Sequence, residues 1–422
     1  MELFDLLSVL IVVSAVFAYI NTRFLKLPDA IGIMMVSVLF STTILLINAV
    51  RPDWFVLVKQ AVQQIDFYDI LFNVMLSFLL FAGAFHTDSA KLLAERRSIM
   101  LFALVGVMIS TFLVATGLYY AAGWVGYPLN YPLCLLFGAL ISPTDPIAVL
   151  GILAKFKLPE SVKLNIVGES LFNDGVGVVV FATIYQIVLN GSESITTGEI
   201  AGLFLQEAVG GVVYGIVLGY GMYRLMRSVD HYQTEVLITL AGVMGGYALA
   251  HYLHVSGPLA MVVAGLFVNS PARQYAMSAV TEEYVARFWE LLDVILNALL
   301  FVLIGIELLI IELKTDYWML CVLAVIIVLS ARYLSILIPY RLTRQWLNLD
   351  NRAPVMLTWG GLRGGISIAL ALSISNAVPY KDLIVTVTYA VVLCSVMGQG
   401  LTMELLIKRL YPATTTSKPD QH

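Results

Sequence analysis

Thirteen stretches of this chain are apolar for long enough, most of them near the ~20 residues that span a bilayer as a helix, to cross a membrane. Their cores are 4–21, 29–49, 67–86, 99–122, 131–153, 163–189, 200–223, 234–253, 257–270, 288–311, 317–340, 353–377 and 383–407. Lipid supplies no partner for a free N–H or C=O, so each segment has to satisfy its own backbone. The expected fold class is therefore an all-α polytopic membrane protein. Composition agrees, with 60% hydrophobic and 12% charged residues, against about 25% charged in soluble domains. The net charge of -4 says little about partners, because the ionisable groups lie mostly in loops.

The basic residues test the count. With the N-terminus outside and the sides alternating, eighteen Lys and Arg fall in inside loops, four (Arg51, Lys59, Lys314, Lys381) fall outside, and Arg332 and Arg363 lie within spans. Cytoplasmic loops carry this excess. One missing or extra span would scramble the alternation from that point on. The reading is thirteen spans, N-terminus outside, C-terminus cytoplasmic, in a cell (inner) membrane. Met1-Glu2-Leu3-Phe4-Asp5 lacks the positive region of a signal peptide, so the first run reads as a retained span. The expected organisation is a transmembrane domain over 1–411 and a short disordered tail over 412–422.

Two acidic segments sit inside this apolar sequence: Ser142-Pro143-Thr144-Asp145-Pro146 and Gly168-Glu169-Ser170-Leu171-Phe172-Asn173-Asp174-Gly175. A carboxylate at mid-span costs at least about 2.5 kcal/mol, so it marks a functional site by default. Pro143 and Pro146 each remove a helix hydrogen bond, and together they should unwind the fifth span. Trp359-Gly360-Gly361-Leu362-Arg363-Gly364-Gly365 predicts a second break in the twelfth. If spans 1–6 and 8–13 are inverted halves, both breaks are the fifth element of a half. Matching broken helices of that kind point to a midplane transport site.

Ser170 and Asp174 are four residues apart and share a helix face. Asp174 and Asp145 supply carboxylates, Ser170 a hydroxyl, and the unwound peptide at Thr144 a carbonyl. Such oxygen ligands suit a small hard cation. No His/Cys cluster argues for zinc or iron, and Cys134, Cys321 and Cys394 read as small core hydrophobes. Low dielectric disfavours the charged form of a carboxyl. A proton or a cation can each neutralise Asp174, and the two exclude one another, which is what an exchanger requires.

These motifs carry a family resemblance. The chain resembles the cation:proton antiporters of the electroneutral NhaP-type branch, to which the animal sodium/proton exchangers are related. The likeness is most specific in the two acidic segments, with support from Phe301-Val302-Leu303-Ile304-Gly305-Ile306-Glu307-Leu308 and Gly360-Gly361-Leu362-Arg363-Gly364. It implies inverted repeats of six helices, with the two broken helices crossing at the midplane. It also implies a transport core around 131–189 and 353–407, with the remaining helices as scaffold and dimer part, and alternating access in a homodimer. Asp174 would bind cation or proton; Asp145, Ser170 and the Thr144 carbonyl would complete the cation shell, and Asn173 would organise it. Glu169 and Arg363 would form a buried structural ion pair. The implied cargo is Na+ or Li+, with K+ not excluded, against H+, serving pH homeostasis. No cofactor and no nucleic-acid partner are implied; the surroundings are membrane lipids. One departure is plain: relatives often have Leu-Phe-Glu-Gly where this chain has Leu80-Phe81-Ala82-Gly83.

Two other function classes fit these motifs less well. An intramembrane aspartyl protease also uses two membrane aspartates, but its Tyr-Asp and Gly-x-Gly-Asp contexts are not those of Asp145 and Asp174. A passive cation channel needs a filter, and none is visible. Arg332 is expected to pair with Glu307 or a helix end. Asp69, Glu207, Glu290 and Asp293 read as interfacial, as do His86, His231, His251 and His254.

Overall fold

A computed structural model describes residues 3–48, 52–63, 66–153, 155–156, 158–190, 197–269, 277–311 and 314–412. The tail read as disordered lies, beyond Pro412, outside the described residues. The described chain is helical: α1 (Leu3–Ile20), α2 (Asp29–Asn48), α3 (Pro52–Gln63), α4 (Phe67–His86), α5 (Ser89–Ala94), α6 (Arg96–Val125), α7 (Tyr131–Ile141), α8 (Ile147–Leu153), α9 (Glu160–Asn190), α10 (Thr197–Met226), α11 (Tyr232–Tyr252), α12 (Gly257–Phe267), α13 (Ala279–Glu307), α14 (Trp318–Thr343), α15 (Ala353–Gly360), α16 (Gly365–Leu372) and α17 (Lys381–Leu410). Among the described residues the one departure from helix pairing is an isolated antiparallel bridge between Asp145 and Leu362.

Nine of these helices are long and apolar enough to cross a membrane, whereas α7 and α12 are shorter. Every apolar run counted from the sequence lies on a helix or on a pair of half-helices. Helix α3 was not foreseen. It starts with Pro52 in its first turn, where a missing N–H costs nothing, and packs Phe55, Val58 and Val62 against the core. Its apolar residues recur at helical spacing in a stretch too polar to register as a span.

Helix packing separates two groups. In one, α10 packs on α12, α12 on α4 and α4 on α13, with α2 on α13. In the other, α6 packs on α7 and α14, α7 on α9, and α14 on α15 and α17. The second group encloses both broken helices. It takes in α6 and α14 as well. Cys134 is buried here, whereas Cys394 is exposed and is not the core residue expected.

Candidate functional site

The first break follows from its prolines. Helix α7 is started by Asn130, whose side chain accepts from the Leu133 amide at 3.0 Å, and it ends at Ile141. Pro143 and Pro146 cannot donate the hydrogen bonds that would continue it. The second break runs through Gly361–Gly364, between α15 and α16. The two unwound strands meet antiparallel, and the Asp145 amide donates to the Leu362 carbonyl at 2.7 Å. A Cβ at Gly364 would fall inside the Asp145 carboxylate, so only glycine permits this approach.

Carbonyls freed at the end of α7 need donors. Arg363 provides them: its Nη1 donates to the Ser142 carbonyl and, at 3.0 Å, to the Pro143 carbonyl. The positive group also suits the negative end of the α7 dipole. The Arg363 amide donates in turn to Ser395 Oγ at 3.0 Å, and that hydroxyl donates to Gln399 Oε1 at 2.6 Å. Ser395 and Gln399 lie on the π-helical turn Cys394–Gln399 of α17.

Helix α9 runs unbroken for 31 residues and buries Glu169, Ser170, Asn173 and Asp174. The Asn173 side chain grips Thr144 from both sides. Its Oδ1 accepts from the Thr144 amide at 3.2 Å, and its Nδ2 donates to the Thr144 hydroxyl at 2.8 Å. The Thr144 and Ser170 hydroxyls are 2.9 Å apart and share a proton donor between them. Three of the residues singled out from the sequence are thus in direct contact. Asp145, half-buried, and Asp174, 8% exposed, open onto one cavity of about 750 Å³.

That cavity runs from the two carboxylates, past Leu171, Leu80 and Gly83, to a mouth formed by Asp88, Lys91, Glu160 and Lys163. Across the mouth Lys91 Nζ meets Glu160 Oε1 at 2.5 Å, and this bond raises the Lys91 pKa above its usual value. His86 borders the cavity with its ring nitrogens 2.8 Å from the Ala82 carbonyl oxygen and 3.2 Å from that of Ala286.

Two expected pairings are corrected. Glu169 does not bond Arg363; it is paired with Arg332, whose Nη1 and Nη2 meet its two carboxylate oxygens, the second at 3.0 Å. Arg332 therefore does not pair with Glu307, and it spends its remaining Nη2 proton on the Leu357 carbonyl at 3.3 Å. The reason is position: α14 packs on α15 and carries Arg332 to the face of α9 that holds Glu169. Glu290 and Asp293, read as interfacial, both line the cavity onto which Asp174 opens. Their signal was present in the sequence, since acids three residues apart share a helix face. Ala82, where relatives often carry an acid, is buried and does not line the cavity. Among the described residues no group of three or more His, Cys, Asp or Glu could hold a metal.

A family model described as sodium/hydrogen exchanger, transmembrane, matches residues 11–409. The Na(+)/H(+) antiporter NhaP of Pseudomonas aeruginosa is 45% identical over 424 residues, covering 99% of each chain. The Na(+)/H(+) antiporter NhaH of Halobacillus dabanensis is 32% identical over 392 residues, covering 92% of this chain and 93% of that one. Among solved structures, the sodium proton antiporter MjNhaP1 of Methanocaldococcus jannaschii superposes with a TM-score of 0.78 at 20% identity, covering 97% of this chain and 99% of that one. That last likeness concerns the fold.

Proposed function

The chain belongs to the sodium/hydrogen exchanger family, and on that premise we propose how this multi-pass membrane antiporter exchanges a sodium ion for a proton. It is a secondary transporter and not an enzyme, so the protease reading falls away. Asp174 binds the cation or the proton. Asp145, the Ser170 hydroxyl and the Thr144 carbonyl complete the cation shell, and Asn173 holds Thr144 in place. Sodium or lithium fits such a shell of hard oxygens, and potassium belongs in the same assays.

The charges support one-for-one exchange. Glu169 and Arg332 neutralise each other across their paired hydrogen bonds. Arg363 lies at the crossing that Asp145 shares, so a positive and a negative group offset one another there. Among the described residues no salt bridge includes Asp174. At this site its charge has no opposite partner, and either Na+ or H+ cancels it. The empty, charged site is expensive to carry through a low-dielectric barrier. Asn173 is a neutral amide, so it adds no second titrating group.

The carrying observation is the Asp145–Leu362 bridge, which fixes both broken helices beside Asp174 at the end of an open cavity. Alternating access then consists of the bundle holding α7–α9 and α15–α17 shifting against the α4, α10, α12 and α13 group. The positive-inside count puts the N-terminus outside and the cavity mouth on the cytoplasmic side. Exposed apolar residues on α10, among them Leu205, Val209, Val213 and Val217, support a lipid- or partner-facing surface for a homodimer.

The test is exchange in proteoliposomes. Asp174→Asn should abolish sodium-driven proton movement while the purified protein keeps its thermal transition; retained exchange overturns the assignment. Clamping the membrane potential should leave the equilibrium sodium ratio unchanged at a fixed proton gradient, and a shift overturns electroneutrality.

A further inference from the structure

Behind the crossing of the broken helices, away from the transport cavity, lies a small space of about 20 Å³. Its polar lining is Arg332, Arg363, Ser395 and Gln399. Both guanidiniums are almost wholly buried, 3% and 2% exposed. Each keeps one nitrogen without an acceptor in the protein: Nε of Arg332, with one N–H, and Nη2 of Arg363, with two. Gly361 also lines the space, and a Cβ there would stand 2.7 Å from Arg332 Nε, which places that nitrogen at the wall. A buried donor on a charged group is costly to leave unpaired.

We propose that this space is a binding site for a single ordered water, which accepts from Arg332 and Arg363 and thereby ties the Glu169–Arg332 pair to the broken-helix crossing. The size matches: a water needs roughly 10–15 Å³ of such volume and two to four polar partners. Gln399 Oε1 and Ser395 Oγ each keep a lone pair, so the protons of the water have acceptors in the lining. A monatomic anion would match the two donors, but not those lone pairs. It would also add a negative charge to a core in which Glu169, Asp145 and Asp174 already face two arginines. The charge count selects water.

The site touches neither cation ligand, so it is a positioning site, and its test does not rest on transport. A structure of the full-length protein in lipid, at a resolution that shows buried waters elsewhere, should show one oxygen peak within hydrogen-bond distance of both nitrogens. No peak there overturns the proposal. Crystals grown in bromide should give no anomalous signal at this position; a signal makes it an anion site and overturns it too. Val391→Ile adds one methylene to the apolar wall of the same space. A dry cavity gains from filling, whereas a hydrated one loses the water and strands two donors. The Tm should therefore fall and the peak disappear; a higher Tm sinks the idea.

Discussion

Glu169 of α9 and Arg332 of α14 are joined end to end, each carboxylate oxygen to its own guanidinium nitrogen, with both side chains out of contact with solvent. Removing one partner from a buried pair strands the other charge and typically costs about 3–5 kcal/mol. Arg332→Met and Glu169→Gln should each lower the Tm sharply. The double variant should recover much of that loss, because no lone charge remains. Thermal unfolding of the four proteins closes the cycle, and simple additivity of the two losses would remove the pair from the account.

Asn173 offers a second test. Its amide makes two hydrogen bonds to Thr144, each worth about 0.5–1.5 kcal/mol net. In Asn173→Ala the Thr144 amide is left buried and unpaired, and the unwound segment loses its anchor to α9. The expected result is a sodium KM higher by about three- to tenfold, with the elution profile and yield unchanged. A KM equal to that of the parent would mean that Asn173 does not hold the shell.

How much of this was legible in the sequence depends on the kind of residue. Pro143 and Pro146 break a helix by their own chemistry, so the unwound segment could be read directly. Ser170, Asn173 and Asp174 share one unbroken helix, so their placement followed from its period. The partner of Glu169 is another matter. Two arginines interrupt apolar spans, and nothing local to either says which one α9 will meet; the packing of α14 on α15 decides it. Glu290 and Asp293, read at a span end, lie well inside α13, which begins at Ala279 before the apolar run at 288. Helix α3 escaped for the opposite reason, since amphipathic segments lack a long apolar run.

Gly364 tests the crossing itself. Any side chain there meets the Asp145 carboxylate. Gly364→Ala should push Asp145 out of its backbone bridge to Leu362 and abolish exchange, whereas Gly398→Ala, with open space around it, should leave exchange intact. Similar rates for the two variants would show that the close approach at 364 has no functional weight.

The acids on α13 should act at a distance. Glu290 and Asp293 line the same cavity as Asp174, and negative charge along a low-dielectric wall concentrates cations. Asp293→Asn should raise the sodium KM by about two- to fivefold at low ionic strength, with less effect in high salt and little change in Vmax. Choline chloride can set the ionic strength. A drop in Vmax at unchanged KM would instead place Asp293 in the chemistry of exchange.

Competition at Asp174 has a quantitative signature. If a proton and a sodium ion exclude each other at one carboxyl group, then at acidic pH each unit of further acidification removes about nine-tenths of the remaining free carboxylate. The apparent sodium KM should then rise about tenfold per unit, equivalent to about 1.4 kcal/mol, while the rate at saturating sodium holds steady. At alkaline pH the KM should level off, because the carboxylate is already free. The sign is fixed by which form binds sodium: acid raises KM and base lowers it. Initial rates across a sodium series at several pH values give the slope directly. A pH-independent KM with a falling maximal rate would mean that protons act elsewhere, and that the two ions do not share Asp174.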